Sequence, residues 1–385
     1  MKEHWVWLQN ALGYGWPYVN ELFSTYAGAE DVYNAARLNA LKLPHKAKAS
    51  VKSALLNSDL TAAQKIITES ENNGIKVITY ADNNYPESLK NLPDAPLVLY
   101  AKGNASLLNG RPNVAIVGAR NPSDFGKKSA YSLGLRLAKG GITVVSGGAL
   151  GCDTAAHIGA LKGGNTISVL GCGILNGYLK ENAELRNQIA NKGLLLSEFP
   201  TDYPASKYTF PVRNRIISGI SLGTVVVEAS EKSGALITAN CALEQGKDVF
   251  VVPGNPGDSA HKGSNALLRD GAQPLLEAND IFFLYMPKFP DIISIEKAYE
   301  KSSDNNVINT SNGQTVQSEK IIKKNMPNTL SIKAKSVYNC LDKQIFHPNE
   351  ILPENLTAAD VLAALTELEI YGLVSAIPGG RYKLK

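Results

Sequence analysis

The sequence predicts the α/β fold class, with a doubly wound and mostly parallel sheet of about six strands at its centre. Residues 113–277 contain six short apolar runs, separated by roughly the 25–30 residues that a strand and a crossover helix require. The runs are apolar throughout instead of alternating, as in strands that helices cover on both faces. The predicted strands are 114–118, 142–146, 167–171, 194–198, 224–228 and 249–253.

The composition is that of an ordinary globular protein, long enough for two or three domains. The 385 residues are 44% hydrophobic and 19% charged, and the formal net charge is +4. This charge is compatible with a polyanionic partner but does not by itself indicate one. No apolar run has the length of a membrane span, and the start of the chain lacks the layout of a signal peptide. We therefore expect a cytoplasmic protein.

Residues 1–72 are expected to form a helical domain, because short patterned segments alternate with breaks at glycine and proline. The stretch 12–16, Leu-Gly-Tyr-Gly-Trp, is typical of the hairpin in helix-hairpin-helix or SAM-like modules. Such a hairpin can hold a DNA phosphate through its backbone N–H groups, or it can serve only to pack helices. Nearby lysines fit either a DNA contact or a solvated helix face. They are Lys42, Lys46, Lys48 and Lys52.

The central domain is assigned to residues 73–288. Its first part carries apolar and β-branched runs at 75–80 and 96–100, which are interpreted as a small extension of the central sheet. The apolar pattern then fades, and residues 301–328 are rich in Ser, Asn, Lys and Gln. We therefore predict a disordered linker over 289–330.

Residues 331–385 recover a pattern that predicts a winged-helix domain: a helix, a second short element near 348–352, a third helix and a terminal hairpin. The third helix is expected to begin with a capping box at Thr357 and Asp360 and to stop at Gly372. It contains three acidic residues and no Lys or Arg, which opposes docking in a DNA major groove. A protein contact or a structural role is therefore favoured. The acidic residues are Asp360, Glu367 and Glu369.

Glycine-rich turns follow several of the predicted strands. In a parallel sheet such turns gather at the carboxyl edge, where backbone N–H groups and helix dipoles favour an anion. Five of them on one edge, with Arg120 at the first, indicate a phosphate-binding surface. Positions in these turns include Gly118, Ser146, Gly147, Gly171, Gly234, Gly263 and Asn265.

The phosphate ligand is not expected to be a dinucleotide or ATP. The first turn lacks the G-x-G-x-x-G fingerprint, and the second strand ends in Ser146 where a ribose-binding carboxylate would stand. The chain also lacks a G-x-x-x-x-G-K-[ST] loop, so an ATP-driven motor is not supported.

The stretch 206–219 interleaves cations with aromatic residues. Cations follow a phosphate backbone and an aromatic ring accepts any base by stacking, so this mixture suits single-stranded nucleic acid. Alternatively, Phe210 fills the core and the arginines pair with carboxylates such as Glu198 and Glu228. Both interpretations can hold together if Lys207 faces the ligand. The candidate contacts in this stretch are Lys207, Phe210, Arg213, Asn214 and Arg215.

No catalytic constellation is evident. The five histidines and four cysteines show neither metal-ligand spacing nor a C-x-x-C pair, so we expect no metal, no cofactor and reduced thiols. Asp153 and His157 lie one helical turn apart, but Asp153 stands where a helix cap belongs and His157 can cover that helix. Cys152 at the same helix start would have a lowered thiol pKa, yet no base accompanies it.

These motifs resemble those of the DNA-processing protein A (DprA, also called Smf) family. The resemblance covers nearly all of residues 113–277 in matching order. It rests on Gly118-x-Arg120, Ser146-Gly-x-Ala-x-Gly-x-Asp153, Glu198-Phe-Pro, Phe210-Pro-x-Arg-Asn-Arg-Ile-Ile-Ser-Gly219, Gly234-x-Leu-Ile-Thr238 and Gly263-x-Asn265.

The resemblance implies an extended Rossmann-like domain that binds single-stranded DNA, between a helical SAM-like domain and a winged-helix tail. It further implies a cytoplasmic, homodimeric, non-catalytic protein that protects incoming DNA and loads the RecA recombinase on it during natural transformation. The family's phosphate-pocket arginine, loop lysine and aromatic residue fall on Arg120, Lys207 and Phe210. The glycine-rich backbone at Ser146, Gly147 and Gly234 would line the same pocket.

Two other functions stay open on the sequence alone. An enzyme such as a nucleotide phosphoribohydrolase would use similar phosphate turns, but it needs a carboxylate at the site. Glu198 and Glu228 are the candidates, and the P-G-G-x-G-T-x-x-E signature of such enzymes is missing. A sensor of a nucleotide second messenger would bind one nucleotide in place of a strand.

Overall fold

The computed structural model describes residues 1–57, 59–300, 326–327, 330–341, 345–346, 348, 356–377 and 381–385. The chain divides into two compact units, Met1–Ser303 and Asp304–Lys385. Within the described residues, the first unit is built on a nine-stranded sheet and the second on a three-stranded sheet. No helix in these ranges is both long and apolar enough to cross a lipid bilayer.

The N-terminal segment is helical, as predicted, but it does not have a core of its own. Trp5, Leu8 and Leu12 belong to the same apolar core as the sheet residues Val77 and Leu99. The helices are α1 (Lys2–Leu12), α2 (Val19–Phe23), α3 (Ala29–Arg37), α4 (Ala49–Leu56) and α5 (Thr61–Asn72). The expected boundary at residue 72 therefore separates two secondary-structure regions of one compact unit.

The central sheet contains all six predicted strands, and they run parallel to one another. The elements are β1 (Lys76–Thr79), α6 (Glu87–Lys90), β2 (Val98–Gly103), β3 (Asn113–Val117), α7 (Asp124–Lys139), β4 (Thr143–Ser146), α8 (Cys152–Gly163), β5 (Thr166–Leu170), α9 (Ala183–Lys192), β6 (Leu194–Ser197), α10 (Thr209–Gly219), β7 (Gly223–Val226), α11 (Gly234–Glu244), β8 (Asp248–Val251), α12 (Lys262–Arg269), β9 (Gln273–Pro274) and α13 (Ala278–Tyr285).

The strand order is β1-β2-β6-β5-β4-β3-β7-β8-β9. From β3 the chain winds outward to β6 on one side, and from β7 it winds outward to β9 on the other. The order therefore reverses between β3 and β7, and a doubly wound sheet opens a crevice at the carboxyl ends of its strands there. The predicted extension is confirmed, since β1 and β2 continue the sheet antiparallel beyond β6.

Helices cover both faces of the sheet, as the apolar runs predicted. Alternate residues of β3 enter different cores: Ala115 and Val117 pack with the N-terminal helices, α10 and α11, whereas Val114 and Ile116 pack with α7, α8 and α13. On the second face α7 and α8 approach closely at glycines. A Cβ atom on Gly159 of α8 would overlap the backbone carbonyl of Tyr131 in α7.

The predicted disordered linker begins too early at residue 289. Residues 289–300 are described, and they contain α14 (Ile295–Tyr299), which packs on α7. Ile293 and Ala298 are buried in the core of that face, and Phe289 and Ile295 pack against it, so apolar residues anchor this segment. Residues 301–325 and 328–329 of the predicted linker lie outside the described residues.

The second unit has the predicted winged-helix outline. Its elements are α15 (Ile332–Cys340), β10 (Ile345–Phe346), α16 (Ala358–Ile370), β11 (Val374–Ile377) and β12 (Arg381–Leu384). The strands pair in the order β10-β12-β11. Thr357 and Asp360 form the predicted capping box of α16. Most of the short element expected near 348–352 and the hairpin turn at 378–380 lie outside the described residues.

The three acidic side chains of α16 all have partners inside this unit. Asp360 pairs with Lys333 at 2.7 Å. Glu367 accepts hydrogen bonds from the N–H and hydroxyl groups of Ser331, the residue that caps α15. Glu369 accepts one from the Ala376 N–H of β11 at 2.8 Å.

The glycine contact between α7 and α8 gives a stability prediction. We expect Gly159→Ala to lower the free energy of unfolding by about 1–3 kcal/mol, because the new methyl group must displace packed backbone. In a helix, alanine is more favourable than glycine by about 1 kcal/mol. A net loss of stability would therefore come from the steric overlap and not from helix propensity. Urea denaturation measures it. Gly177→Ala is the control, since a Cβ atom there meets no atom within 4 Å. Equal midpoints for the two variants would contradict the close contact.

Candidate nucleic-acid interface

A cavity of about 690 Å³ opens at the carboxyl edge of the sheet, between β3 and β7. Four segments line it: the turn after β3, the turn between β4 and α8, the start of α10 and the start of α11. Seven of the predicted contact residues meet there, although they are up to 116 positions apart in sequence. These are Gly118, Arg120, Lys207, Phe210, Arg213, Asn214 and Gly234.

The phenyl ring of Phe210 is a wall of this cavity, half-buried at the first turn of α10. The guanidinium carbons of Arg120 and Arg213 lie 5.4 and 5.9 Å from the ring centroid. Gly171 makes room for the ring, since a Cβ atom there would come within 2.6 Å of a ring carbon. Phe210 therefore does not fill the core, contrary to the alternative interpretation. Its ring lies near two arginines, and part of its surface is open.

Arg213 is buried beneath the cavity and holds the strand ends together. Its Nη1 donates hydrogen bonds to the carbonyl oxygens of Gly147 and Val169, and its Nε donates to Asn214 Oδ1 at 3.1 Å. Burial lowers the pKa of the guanidinium, while the neighbouring Asp153 opposes that shift. Gly147 is buried against this side chain, so it shapes the cavity from below and exposes little backbone to a ligand.

Asp153 does not cap α8, contrary to the prediction. It lies in the first helical turn, and its Oδ2 accepts the N–H groups of Gly147 and Ala149 at 3.1 and 3.2 Å. These two loop amides are therefore occupied by a protein carboxylate. Burial raises the pKa of Asp153, and Arg213 acts against this increase.

Arg120 and Lys207 are the exposed cations of the cavity. In the part of the chain that the structure describes, neither lies within 4 Å of a carboxylate. Arg120 contacts the Phe210 ring, and the Nζ of Lys207 lies 5.1 Å from the centroid of the exposed Tyr208 ring. Both charges thus face solvent beside an aromatic surface, an arrangement that attracts phosphate and accepts a base.

The amino end of α11 closes the opposite side. Ser233 caps this helix by accepting the Ala235 N–H, and Gly234 at its first position is exposed. Asn214 Nδ2 donates to the Gly234 carbonyl at 3.4 Å, which ties α11 to α10. The positive end of an 11-residue helix dipole therefore points at the cavity, where it favours an anion.

Three predicted contact residues serve the fold and do not line the cavity. The Ser146 hydroxyl is buried and donates to the Ile116 carbonyl at 2.6 Å. The Gly263 N–H donates to the Ala229 carbonyl at 2.9 Å. The side-chain amide of Asn265 bonds both backbone groups of Gly254 at 3.2 Å.

Arg215 is the fourth predicted contact that lies elsewhere. Its Nη2 bonds both carboxylate oxygens of Glu198 at 2.8 and 2.7 Å, and its Nε lies 3.1 Å from Asp94. Arg215 and Glu198 are only 6% and 1% exposed. Gly15, in the N-terminal hairpin, lies against the same ion pair, since a Cβ atom there would come within 3.3 Å of Val212 and 3.8 Å of Arg215 Nε. The hairpin therefore packs on α10, in line with the packing role that its sequence left open.

The carboxylates that an enzyme would need are also engaged elsewhere. Glu228 accepts hydrogen bonds from the N–H and hydroxyl groups of Ser123, which caps α7. Neither Glu228 nor Glu198 lines the cavity. His157 is buried against Thr166, and burial lowers its pKa to about 3. Burial raises the pKa of the Cys152 thiol to about 12, so the lowering expected from the helix start is wrong.

Among the described residues no group of three or more His, Cys, Asp or Glu side chains could hold a metal ion. Several cavity residues are not among the predicted contacts, because within the glycine-rich turns and their flanks the sequence does not show which side chains face the cavity. They are Asn121, Ala149, Ser230, Ser233 and Thr238. Tyr178, which contacts Phe210 at a centroid distance of 5.3 Å, follows β5 by eight positions and carried no motif.

Fold and cavity together define an extended Rossmann-like protein with an anion-binding crevice at the reversal point of its sheet. The comparisons with known proteins agree. The model of the family described as DNA recombination-mediator protein A matches residues 76–285, and that of the DprA winged helix domain matches residues 324–380. The chain therefore belongs to the DprA/Smf family of DNA-processing recombination mediators.

Similar proteins extend over most of the chain. It is 34% identical over 332 residues to protein Smf of Synechocystis sp., which covers 83% of this chain and 82% of that protein. The structure of DNA processing protein A from Streptococcus pneumoniae superposes with a TM-score of 0.64 and 31% identity, over 74% of this chain and 98% of that one. The structure of DNA processing protein A from Helicobacter pylori, described by its single-stranded DNA binding mode, superposes with a TM-score of 0.51 and 32% identity. This match covers 56% of this chain and 96% of that one.

The ion pairs of Arg215 predict a structural role. We expect Arg215→Gln to lower the free energy of unfolding by about 3–5 kcal/mol, because Glu198 keeps a buried and unpaired charge. Chemical denaturation measures the loss. Adding Glu198→Gln removes that charge and should recover part of the stability. Lys262→Gln, which breaks the exposed pair with Glu231, is the control and should leave the midpoint unchanged. A variant Arg215→Gln with wild-type stability and weakened DNA binding would instead place Arg215 at the DNA.

Proposed function

We propose that the chain binds single-stranded DNA in the cavity between β3 and β7. The observation that carries this proposal is the pair of exposed cations, Arg120 and Lys207, which line the cavity together with the half-buried Phe210 ring and meet no carboxylate within 4 Å in the described part of the chain. The cations would neutralise successive phosphates, and Phe210 would stack against or wedge beside a base. The amino end of α11 at Gly234 would hold a phosphate oxygen through its N–H groups.

The chemistry of the cavity favours a strand of any sequence. Arginine, lysine and backbone N–H groups recognise phosphates, which carry no sequence information, and an aromatic face accepts all four bases. Base-edge readout would need fixed side-chain donor and acceptor pairs. Of the two asparagines in the lining, Asn214 is already bonded to Arg213 and Gly234, and the exposed Asn121 has no side-chain hydrogen bond in the described part of the chain that would fix it. We therefore expect weak sequence preference and a steep dependence of affinity on salt.

The same arrangement supports a non-catalytic role. Asp153 is the carboxylate that borders the cavity, and it is satisfied by two loop amides and a nearby arginine. Glu198 and Glu228 are engaged by Arg215 and Ser123. A hydrolase would need a carboxylate or a water-activating group free to approach the substrate, and these three side chains are committed to the fold.

We further propose that the protein acts in the cytoplasm as a homodimer that protects incoming single-stranded DNA and loads the RecA recombinase on it during natural transformation. Membership in a family of recombination mediators supports this proposal. The relative from Helicobacter pylori, described by its single-stranded DNA binding mode, supports the choice of ligand.

Substitution of the two cations tests the DNA site. We expect Arg120→Ala and Lys207→Ala each to weaken single-stranded DNA binding by about 1–3 kcal/mol, since each removes a charge-assisted phosphate contact. Fluorescence anisotropy of a labelled oligonucleotide across a salt series measures the affinity, and each variant should show a shallower salt slope than the wild type. Lys192→Ala is the matched control, an exposed lysine just before β6 at the opposite edge of the sheet.

Competitors in the same assay distinguish the other functions. Duplex DNA and a mononucleotide should displace the strand poorly. Unchanged affinity in both cation variants would remove the cavity from DNA binding. Displacement by a mononucleotide at micromolar concentration, with weak binding of the strand, would favour the enzyme or the nucleotide sensor. Release of free base from AMP, abolished by Glu228→Gln, would establish the enzyme.

A RecA assay tests the mediator role. We expect the wild-type protein to shorten the lag before RecA hydrolyses ATP on single-stranded DNA coated with a single-strand-binding protein. The double variant Arg120→Ala, Lys207→Ala should not shorten the lag relative to a reaction that lacks the protein, because it cannot hold the strand. Tight DNA binding by the wild type with no change in the lag would refute RecA loading. Sedimentation velocity of the same samples tests the homodimer.

A further inference from the structure

A second, smaller cleft adjoins the DNA cavity on the far side of Phe210. The two share four lining residues, Arg120, Ala149, Phe210 and Arg213, so one wall separates them. The second cleft extends along the loop after β5. Tyr178, Leu179, Asn182 and Arg186 line its outer side. A strand that passes Phe210 on leaving the first cavity therefore meets this loop.

The volume of the cleft limits what it can hold. It encloses about 20 Å³, which is room for about one water molecule. A nucleotide base cannot enter a space of this size. A ligand at this position must lie across the mouth of the cleft, in contact with the side chains that form its rim.

The rim offers an aromatic ring and a cation. The Tyr178 and Phe210 ring centroids are 5.3 Å apart at an interplanar angle of 45°, and both rings are half-buried. Consecutive nucleotides rise by about 3.4 Å along a duplex strand and more in an extended one, so the two rings are spaced for neighbouring bases. Arg186 donates one hydrogen bond, from Nη1 to the Asn176 carbonyl. Its other donors pair with no carboxylate in the described part of the chain.

The loop is fixed in place before any ligand arrives. Asn182 Nδ2 bonds the Gly148 carbonyl and Thr154 Oγ1 at 3.1 and 2.9 Å, and Asn176 Oδ1 accepts the Tyr178 N–H at 3.0 Å. Leu179 next to the ring adopts a left-handed φ of 57°, which costs energy for a residue with a Cβ atom. The position of Tyr178 is therefore enforced by its surroundings and needs little ordering on binding.

We propose that Tyr178 and Arg186 form a second nucleotide subsite, where the base next to the one at Phe210 stacks on Tyr178 and its phosphate reaches Arg186. The inference rests on the proposed binding of single-stranded DNA in the first cavity. It predicts that the protein distinguishes a strand from a single nucleotide, because only a ligand with two linked nucleotides engages both rings. Because stacking on the rim involves no base edge, the second subsite accepts any base.

A length series tests this subsite. Affinities of oligothymidylates from one to twelve nucleotides are measured by competition anisotropy for the wild type, Tyr178→Ala, Tyr178→Leu and Tyr178→Phe. We expect Tyr178→Ala and Tyr178→Leu to weaken binding of the twelve-nucleotide strand about 5- to 100-fold, as the loss of one stacked base does. Tyr178→Phe keeps the ring and should bind like the wild type. The affinity for thymidine monophosphate should be the same in all four proteins.

Two controls separate this inference from the proposed function. Tyr131→Ala removes a half-buried tyrosine that contacts Lys162 on a helix away from the cavity, and should leave the affinity unchanged. Wild-type affinity in Tyr178→Leu, with weakened binding in Arg120→Ala, would overturn the second subsite and leave the first in place. Wild-type affinity in both Tyr178→Leu and Arg120→Ala would overturn the proposed DNA site as well. A loss in Tyr178→Phe equal to that in Tyr178→Ala would refute stacking. Thermal unfolding of each variant verifies that it is folded.

Discussion

The buried guanidinium of Arg213 is the interaction on which the cavity depends. A single side chain from α10 bonds the carbonyls at the ends of β4 and β5, so it fixes two strand ends and a helix relative to one another. Desolvation of such a charge costs several kcal/mol unless its donors are satisfied. Here two carbonyl groups, Asn214 and the nearby Asp153 offset the cost. Gly147 follows from this arrangement, because any larger residue would occupy the space of the guanidinium.

Besides Arg213, the two other cations of the same stretch have different roles: one stabilises the fold, and the other is exposed at the cavity. Arg215, two positions later, forms an ion pair that joins α10 to Glu198, beside Gly15 of the N-terminal hairpin. Lys207, six positions earlier and before the helix begins, reaches solvent. A helix sends residues two positions apart to different faces, and the loop before it is free of that constraint. The exposed charge at the cavity therefore comes from turns, whereas the charge on the helix stabilises the architecture.

The fold was largely predictable from sequence, and the site only in part. Buried parallel strands are continuous apolar runs, so the sequence predicts all six, and the glycine turns point to the edge of the sheet at which the cavity opens. The side chains in one motif could not be sorted in the same way, because Lys207, Arg213 and Arg215 are equally cationic in a sequence. Their difference arises from distant partners such as Val169 and Glu198, which only the folded chain brings close. Tyr178 was missed for the same reason, since its relation to Phe210 crosses 32 positions and follows no periodicity.

The winged-helix unit shows how a charge pattern can have a cause unrelated to any ligand. The acidic residues of α16 suggested a surface that repels DNA, yet each of them is bonded within the unit, to Lys333, Ser331 or the backbone of β11. Two of these contacts hold α15 against α16, and the third fixes the start of the hairpin. Removing the carboxylates to make the helix less acidic would therefore also loosen the unit. A charge reversal there changes stability and electrostatics together, so the surface property of this helix has to be judged with substitutions at exposed positions that have no such bonds, such as Leu362 and Ile370.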